Sequence, residues 1–243
     1  MHNFTRSGLL LFAIPWIVFG IQHYMYAGFV ATLVPAYMPF REFWVYFTGT
    51  AMIAAGISFI IDRKVKLAAM LLGIMLSIFV LQLHTAIMAA DLHNALNWTR
   101  TLQDISLAGA AFALADNRRF ARYLYALPMV FLGWQHFMQV GFVTGTIPAW
   151  LPLRIFWDYL MGCLIIVTAA CILLNKKPLL AARILGVTLW LFALLQHVPL
   201  LVTESRNGME WTSSMLDLAI AAGALIIADG LQQRASPIPF AGS

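Results

Sequence analysis

Two histidines and an aspartate recur at the same spacing in two parts of the chain, 113 residues apart. The six positions are His23, His84, Asp104, His136, His197 and Asp217. Imidazole and carboxylate groups exchange protons and hold polar ligands, so these six side chains are the predicted catalytic residues. An alternative stays open, in which each set only satisfies its own hydrogen bonds and fixes the packing of its helices.

The composition indicates the kind of structure that must position these residues. The chain has 243 residues, of which 62% are hydrophobic and 10% are charged. Soluble domains carry about 25% charged residues, so this sequence excludes a soluble enzyme, a disordered chain and a disulfide scaffold. It predicts an all-α integral membrane protein in contact with lipid. The net charge of +5 fits the basic cytoplasmic loops of such proteins, and we expect no nucleic-acid partner.

A transmembrane helix needs about 20 predominantly apolar residues, and eight segments approach this requirement. The fourth is the least apolar because it contains Gln103 and Asp104, and it is retained because of the internal repeat described next. The predicted spans are 8–30, 42–61, 66–90, 101–116, 121–143, 155–174, 179–202 and 212–230.

The chain is an internal duplication. A shift of 113 residues aligns positions 14–84 with 127–197 without a gap, and 27 of the 71 pairs are identical. We therefore predict two four-helix units, residues 1–117 and 118–243. Because each unit has an even number of spans, both have the same orientation in the membrane, which makes them a parallel repeat. His2 and His93 have no histidine counterpart in this alignment.

The distribution of basic residues predicts the orientation. With the N-terminus inside, 11 of the 15 Lys and Arg residues fall on the inner side and four on the outer side. The positive-inside rule then places both termini in the cytoplasm. His23, His84 and Asp104 lie in the outer half of their helices, about 10 Å below the outer edge at 1.5 Å per residue.

Three ligands suit this arrangement, and the residues favour them in the order quinone, haem, metal. A glutamine or histidine donor would hold a quinone carbonyl in an apolar pocket, with an arginine above it. Facing histidines would ligate haem, and imidazole also binds zinc, copper or iron. The arginines have an alternative role in reaching lipid phosphate. The predicted cofactor-binding residues are Gln22, Gln135, Arg41, Arg154, Trp44, Trp157, Tyr46 and Tyr159.

Part of the repeat also resembles a known family. The pattern consists of Gly20, Gln22-His23, Gly28-Phe29-Val30, Pro35, Pro39, Phe43-Trp44, Tyr46 and Gly49. It resembles the DoxX-like family of small bacterial membrane proteins, which are typically single four-helix units. This chain departs from many members in having no acid at 50–55 or 163–168, where they carry a glutamate.

The resemblance implies a bacterial inner-membrane location and a quinone-linked redox role beside partner proteins, because the family is named after a thiosulfate:quinone oxidoreductase subunit. The alternative is a non-catalytic membrane scaffold, chaperone or small-molecule carrier. Whether the chain is itself an enzyme stays open.

Overall fold

The computed structural model describes residues 3–235, which form helices joined by short turns, with no strand among them. His2 and positions 236–243 of the second predicted unit lie outside the described residues. The helices are α1 (Asn3–Met25), α2 (Ala27–Leu33), α3 (Arg41–Ile60), α4 (Val65–Phe79), α5 (Thr85–Ala90), α6 (Ala95–Leu114), α7 (Arg118–Met138), α8 (Val140–Thr146), α9 (Arg154–Leu173), α10 (Pro178–Thr203) and α11 (Gly208–Ala235). A π-helical turn, Val80–His84, joins α4 to α5 without a break.

Six stretches of helix among the described residues are long and apolar enough to cross a membrane. They are Arg6–Met25, Arg41–Ile60, Val65–Ala90, Arg154–Leu173, Pro178–Thr203 and Gly208–Gln232. Helices α6 and α7 have 20 and 21 residues but fall outside this set. In α6 polar side chains such as Arg100 and Asp104 interrupt the apolar sequence, and α7 begins with two arginines. The chain is therefore an all-helical protein with six candidate spans, and the count of eight stays a prediction.

Two predicted spans end earlier than the hydropathy pattern indicates. Helix α1 stops at Met25 instead of 30, and α7 stops at Met138 instead of 143. Tyr26 and Gln139 leave the helical conformation, with φ, ψ of −117°, 31° and −122°, 40°. The apolar sequence continues through α2 and α8, so hydropathy alone does not detect a break at a residue that is neither glycine nor proline.

Eight of the helices pack as a closed circuit, and two members of the circuit also contact each other across its middle. Around the circuit, α1 contacts α3, α3 contacts α4, α4 contacts α6, α6 contacts α7, α7 contacts α9, α9 contacts α10, α10 contacts α11 and α11 contacts α1. Helices α6 and α11 also contact each other across the middle. The apolar part of α11 is 78% buried, against 22–44% in the other candidate spans. The first long helix of each predicted unit therefore packs on the last helix of the other unit.

Close contact between α6 and α7 depends on Gly109. A Cβ atom at this position would lie 2.5 Å from the backbone nitrogen of Tyr125 and 2.9 Å from the carbonyl oxygen of Ala121. These neighbours are backbone atoms in a helix, which do not move as a flexible side chain would. Only a glycine at position 109 therefore permits this distance between the two helices.

We expect Gly109→Ala to lower the free energy of unfolding by about 1–3 kcal/mol, because the added methyl group overpacks the α6–α7 contact. The measurement is unfolding of the purified protein by titration with sodium dodecyl sulfate. Gly28→Ala in α2 is the matched control, since a Cβ there would have no atom within 4 Å. Equal shifts in the two variants would contradict the proposed contact.

Candidate functional site

The first histidine–carboxylate pair joins the π-helical turn to α6. His84 is the last residue of that turn, and its Nε2 lies 2.8 Å from Oδ2 of Asp104. The side chains are only 12% and 17% exposed. A π-turn inserts one extra residue into a helix and is often found at functional sites. The structure therefore brings together two of the three side chains of the first predicted set.

The corresponding pair in the second half has an additional carboxylate. Nε2 of His197 lies 3.0 Å from Oδ2 of Asp217, and Nδ1 lies 2.6 Å from Oε1 of Glu210. Ionised carboxylates only accept hydrogen bonds, so both ring nitrogens donate when both acids are ionised, which is the imidazolium form. Sequence analysis missed Glu210 because the residue 113 positions earlier is Asn97.

A polar network extends from the second pair across the α6–α11 contact to Arg100, whose charge also acts on Asp104 of the first pair. The guanidinium of Arg100 donates from Nη2 to Oγ of Ser213 at 3.0 Å and from Nη1 to Oε1 of Gln103 at 3.2 Å. The Gln103 amide donates in turn to Oδ1 of Asp217 at 3.4 Å. Arg100 and Ser213 occupy equivalent positions in the repeat, so unlike residues meet where the two halves join.

The charges of this network balance only with two added protons. Asp104, Glu210 and Asp217 supply three negative charges, and Arg100 supplies one positive charge. Uncompensated charge in an apolar bundle is costly. By formal charge alone, two added protons therefore make the cluster neutral.

The other two histidines lie apart from this network, in contact with α3 and α9. Nδ1 of His23 is 2.8 Å from the carbonyl oxygen of Phe19, and Nδ1 of His136 is 2.6 Å from Oδ1 of Asp158. Glycines at positions 49 and 162 make room, since a Cβ on either would lie 2.7 Å from Cβ of the facing histidine. The structure thus divides each predicted set: one histidine joins the aspartate and the other does not.

Asp158 is a functional candidate that sequence analysis missed. Its side chain is fully buried, and its Oδ2 has no hydrogen-bond partner among the described residues. The equivalent residue in the first half is Val45, so a search for repeated residues passes over it. A usable signal was present, because Asp158 is the only acid in α9 and acids inside spanning helices are rare and usually functional.

The two predicted ligand-binding glutamines connect helices of different halves. The Gln22 amide donates to the carbonyl oxygen of Gly208 at 3.0 Å, and its oxygen accepts from Thr212 at 3.2 Å. Gln135 makes the corresponding bonds in the α7–α6 contact, to the carbonyl oxygen of Ala95 at 3.4 Å and from Thr99 at 3.1 Å. The partners are again 113 residues apart, and both amide groups are occupied by helix–helix contacts.

The predicted pocket aromatics contact turns and neighbouring rings. The indole nitrogens of Trp44 and Trp157 donate to the carbonyl oxygens of the prolines five residues earlier, at 3.0 and 3.1 Å. The rings of Tyr46 and Tyr159 have centroids 5.3 and 5.4 Å from Tyr24 and Phe137, respectively. These contacts fix the entry into α3 and α9 and their packing on α1 and α7.

The two predicted arginine clamps are exposed. Arg41 lines an open cavity of about 620 Å³ between α2 and the start of α3, together with Gly28, Thr32 and Phe43. Arg154 begins α9 at the equivalent position. Neither arginine forms an ion pair with a described residue, so both are accessible to an anionic group. For the metal prediction, the described residues contain no group of three or more His, Cys, Asp or Glu side chains arranged to hold an ion.

Comparison with known proteins gives one similarity. The chain matches the family model of a domain of unknown function (DUF8561) over residues 12–115, a segment that begins in α1 and ends just after α6. Comparisons with curated proteins and with solved structures gave no match. The similarity therefore covers the first half of the duplication and carries no statement about activity.

Proposed function

We propose that the chain is a bacterial inner-membrane protein with eight spanning helices, arranged as two parallel four-helix units with both termini cytoplasmic. Two observations support the inclusion of α6 and α7. Each has about 20 residues, or about 30 Å of helix, and each packs between candidate spans. The matching glutamine contacts at α1–α11 and α7–α6 support the parallel repeat, and the excess of basic residues at one end supports the orientation.

We propose further that the protein binds a quinone and exchanges protons with it, as a component of a membrane redox system. The network between α6 and α11 carries this proposal, because the charge of Arg100 acts on the aspartates of both histidine–aspartate pairs and two protons balance the formal charge of the whole cluster. Conversion of a quinone to its reduced form consumes two protons and two electrons. In this proposal His84 and His197 supply the protons and a redox partner protein supplies the electrons. The resemblance to DoxX-like proteins supports the same ligand class.

The carboxylates have a defined part in such an exchange. Asp104 holds Nε2 of His84 and so leaves Nδ1 of that ring, which bonds no described residue, as the donor to the quinone. Both nitrogens of His197 are held by Asp217 and Glu210, so His197 passes its proton on through one of these carboxylates. The positive charge of Arg100 acts on Asp217 and on Asp104, one in each half. It therefore offsets part of the negative charge that the cluster gains when it gives up protons.

The test is binding of decylubiquinone to the purified protein in detergent. We expect the double variant His84→Gln/His197→Gln to bind at least tenfold more weakly than the wild type, since a charge-assisted hydrogen bond is worth about 1.5–3 kcal/mol. His93→Gln is the matched control, because His93 is exposed in the turn between α5 and α6 and lies outside the network. It should bind as the wild type does.

Two results would overturn the quinone assignment. Equal binding by the wild type and the double variant would favour the alternative of a non-catalytic scaffold or carrier. A Soret absorption band in the purified protein, lost in the double variant, would assign the histidines to haem.

A further inference from the structure

Next to one pair of matching histidines, the two halves of the duplication have different residues at an equivalent buried position. His23 and His136 occupy equivalent places, and His136 bonds Asp158 on α9, but the residue equivalent to Asp158 in the first half is Val45 on α3. Without a carboxylate partner, the His23 ring bonds the carbonyl oxygen of Phe19 in its own helix. Only the second half therefore has a histidine–aspartate dyad at this position.

The dyad has two polar atoms that the protein itself leaves unused. Oδ1 of Asp158 accepts from Nδ1 of His136 at 2.6 Å, while Oδ2 is buried without a hydrogen-bond partner among the described residues. Nε2 of His136 also forms no hydrogen bond to any described residue. A buried polar atom without a partner costs about 1–3 kcal/mol. Such a cost is tolerated at sites where a ligand completes the bonding.

The exposure of the two side chains indicates which atom meets the ligand. Asp158 is fully buried, whereas 15% of the His136 side chain is exposed. Since Nδ1 is directed at Asp158, Nε2 is the ring nitrogen available for an outside group. The carboxylate fixes the proton on Nδ1 and stabilises positive charge on the ring, so Nε2 acts as a hydrogen-bond and proton acceptor.

We propose that His136 and Asp158 form a second binding site, which accepts a hydrogen bond from the hydroxyl group of a phenolic, hydroquinone-type ligand. Burial in an apolar bundle selects a lipophilic molecule, and the acceptor at Nε2 selects one that carries a hydroxyl donor. The choice of ligand class rests on the proposed function. The geometry of the site does not, because it involves neither α6 nor α11.

The test compares two probes that differ in whether their two phenolic oxygens carry hydrogen or a methyl group. These are tert-butylhydroquinone and its dimethyl ether, with binding measured by calorimetry on the purified full chain. We expect the wild type to bind the hydroquinone about tenfold more tightly than the ether. Asp158→Asn, which keeps the size of the side chain, should reduce this ratio to about one.

Substitutions between the halves provide the matched variants. Asp158→Val places the first-half residue in the second half and should also abolish the preference for the hydroquinone. His23→Gln should leave the preference unchanged. In ¹⁵N-histidine spectra, the Nε2 signal of His136 should shift on addition of the hydroquinone, and not of the ether. This signal reports the hydrogen bond directly, so it separates a binding role from a packing role.

An unchanged tenfold preference in Asp158→Asn, or an equal loss of preference in His23→Gln, would overturn the site. The result for this second site can be distinguished from the result for the proposed function of the central network. If His84→Gln/His197→Gln keeps its affinity for decylubiquinone while Asp158→Asn loses the preference, the central network has no quinone role and the His136 site stands. The opposite pair of results retains the network and removes the second site.

Discussion

Replacement of Arg100 by methionine is expected to lower the free energy of unfolding by about 2–3 kcal/mol, the upper part of the range for hydrogen bonds made by a charged group. The guanidinium is the positive group of the α6–α11 network, and its field acts on both Asp104 and Asp217. Methionine has a similar length but removes this positive charge, which leaves the two carboxylates only their histidine partners. It also removes the hydrogen bonds to Ser213 and Gln103. Unfolding by sodium dodecyl sulfate, followed by tryptophan fluorescence, measures the loss.

Two further variants separate charge from packing at this position. Arg100→Lys keeps the positive charge but not the two-pronged geometry, so its loss should be smaller than that of Arg100→Met. Arg41→Met changes an exposed arginine without an ion pair to a described residue, and it should shift stability by at most about 0.5 kcal/mol. Equal losses in Arg100→Met and Arg41→Met would show that the network adds nothing to stability.

Trp16→Ala is expected to cost about 3–5 kcal/mol, because it empties the largest buried side chain of α1. Trp16 is 1% exposed. Its ring meets Phe12 and Phe19 edge to face, with centroids 5.5 and 5.6 Å away. Apolar surface gains little from leaving lipid, so the loss comes from van der Waals contacts in the cavity left behind. The same detergent titration measures it.

The duplication supplies the comparison for this second variant. The equivalent of Trp16 in the second half is Met129, which is also buried. Trp16→Met fills part of the space, so its loss should fall well below that of Trp16→Ala. Trp134→Ala is the exposed control, as that side chain is 56% exposed. If Trp134→Ala costs as much as Trp16→Ala, contact with Phe12 and Phe19 is not the source of the effect.

The sequence contains enough information to group His84 with Asp104, and His197 with Asp217, at a similar depth. Repetition identifies these residues, and counting along each helix gives their depth. It does not give the direction in which a side chain leaves its helix. His23 lies at a similar depth on the predicted helices but faces α3, because α1 packs between α3 and α11 and not against α6. The direction of the His23 side chain can be predicted only when the neighbours of α1 are known.

The residues that were missed share one property, which is that they break the repeat. Arg100 has Ser213 as its counterpart, Glu210 has Asn97, and Asp158 has Val45. A search for matching positions therefore discards them, although Glu210 and Asp158 each bond a histidine of the predicted sets and the charge of Arg100 acts on both aspartates. Their roles depend on the differences between the halves, which repetition cannot reveal.

The contact between α1 and α11 has a consequence for biogenesis. Gln22 and its partner Gly208 are 186 positions apart, so a ribosome adds about that many residues before the partner of α1 exists. Until then the Gln22 amide lacks both of the bonds that α11 supplies, to Gly208 and from Thr212. The α7–α6 contact forms between helices made in immediate succession. The two matched contacts therefore become possible at very different times during synthesis.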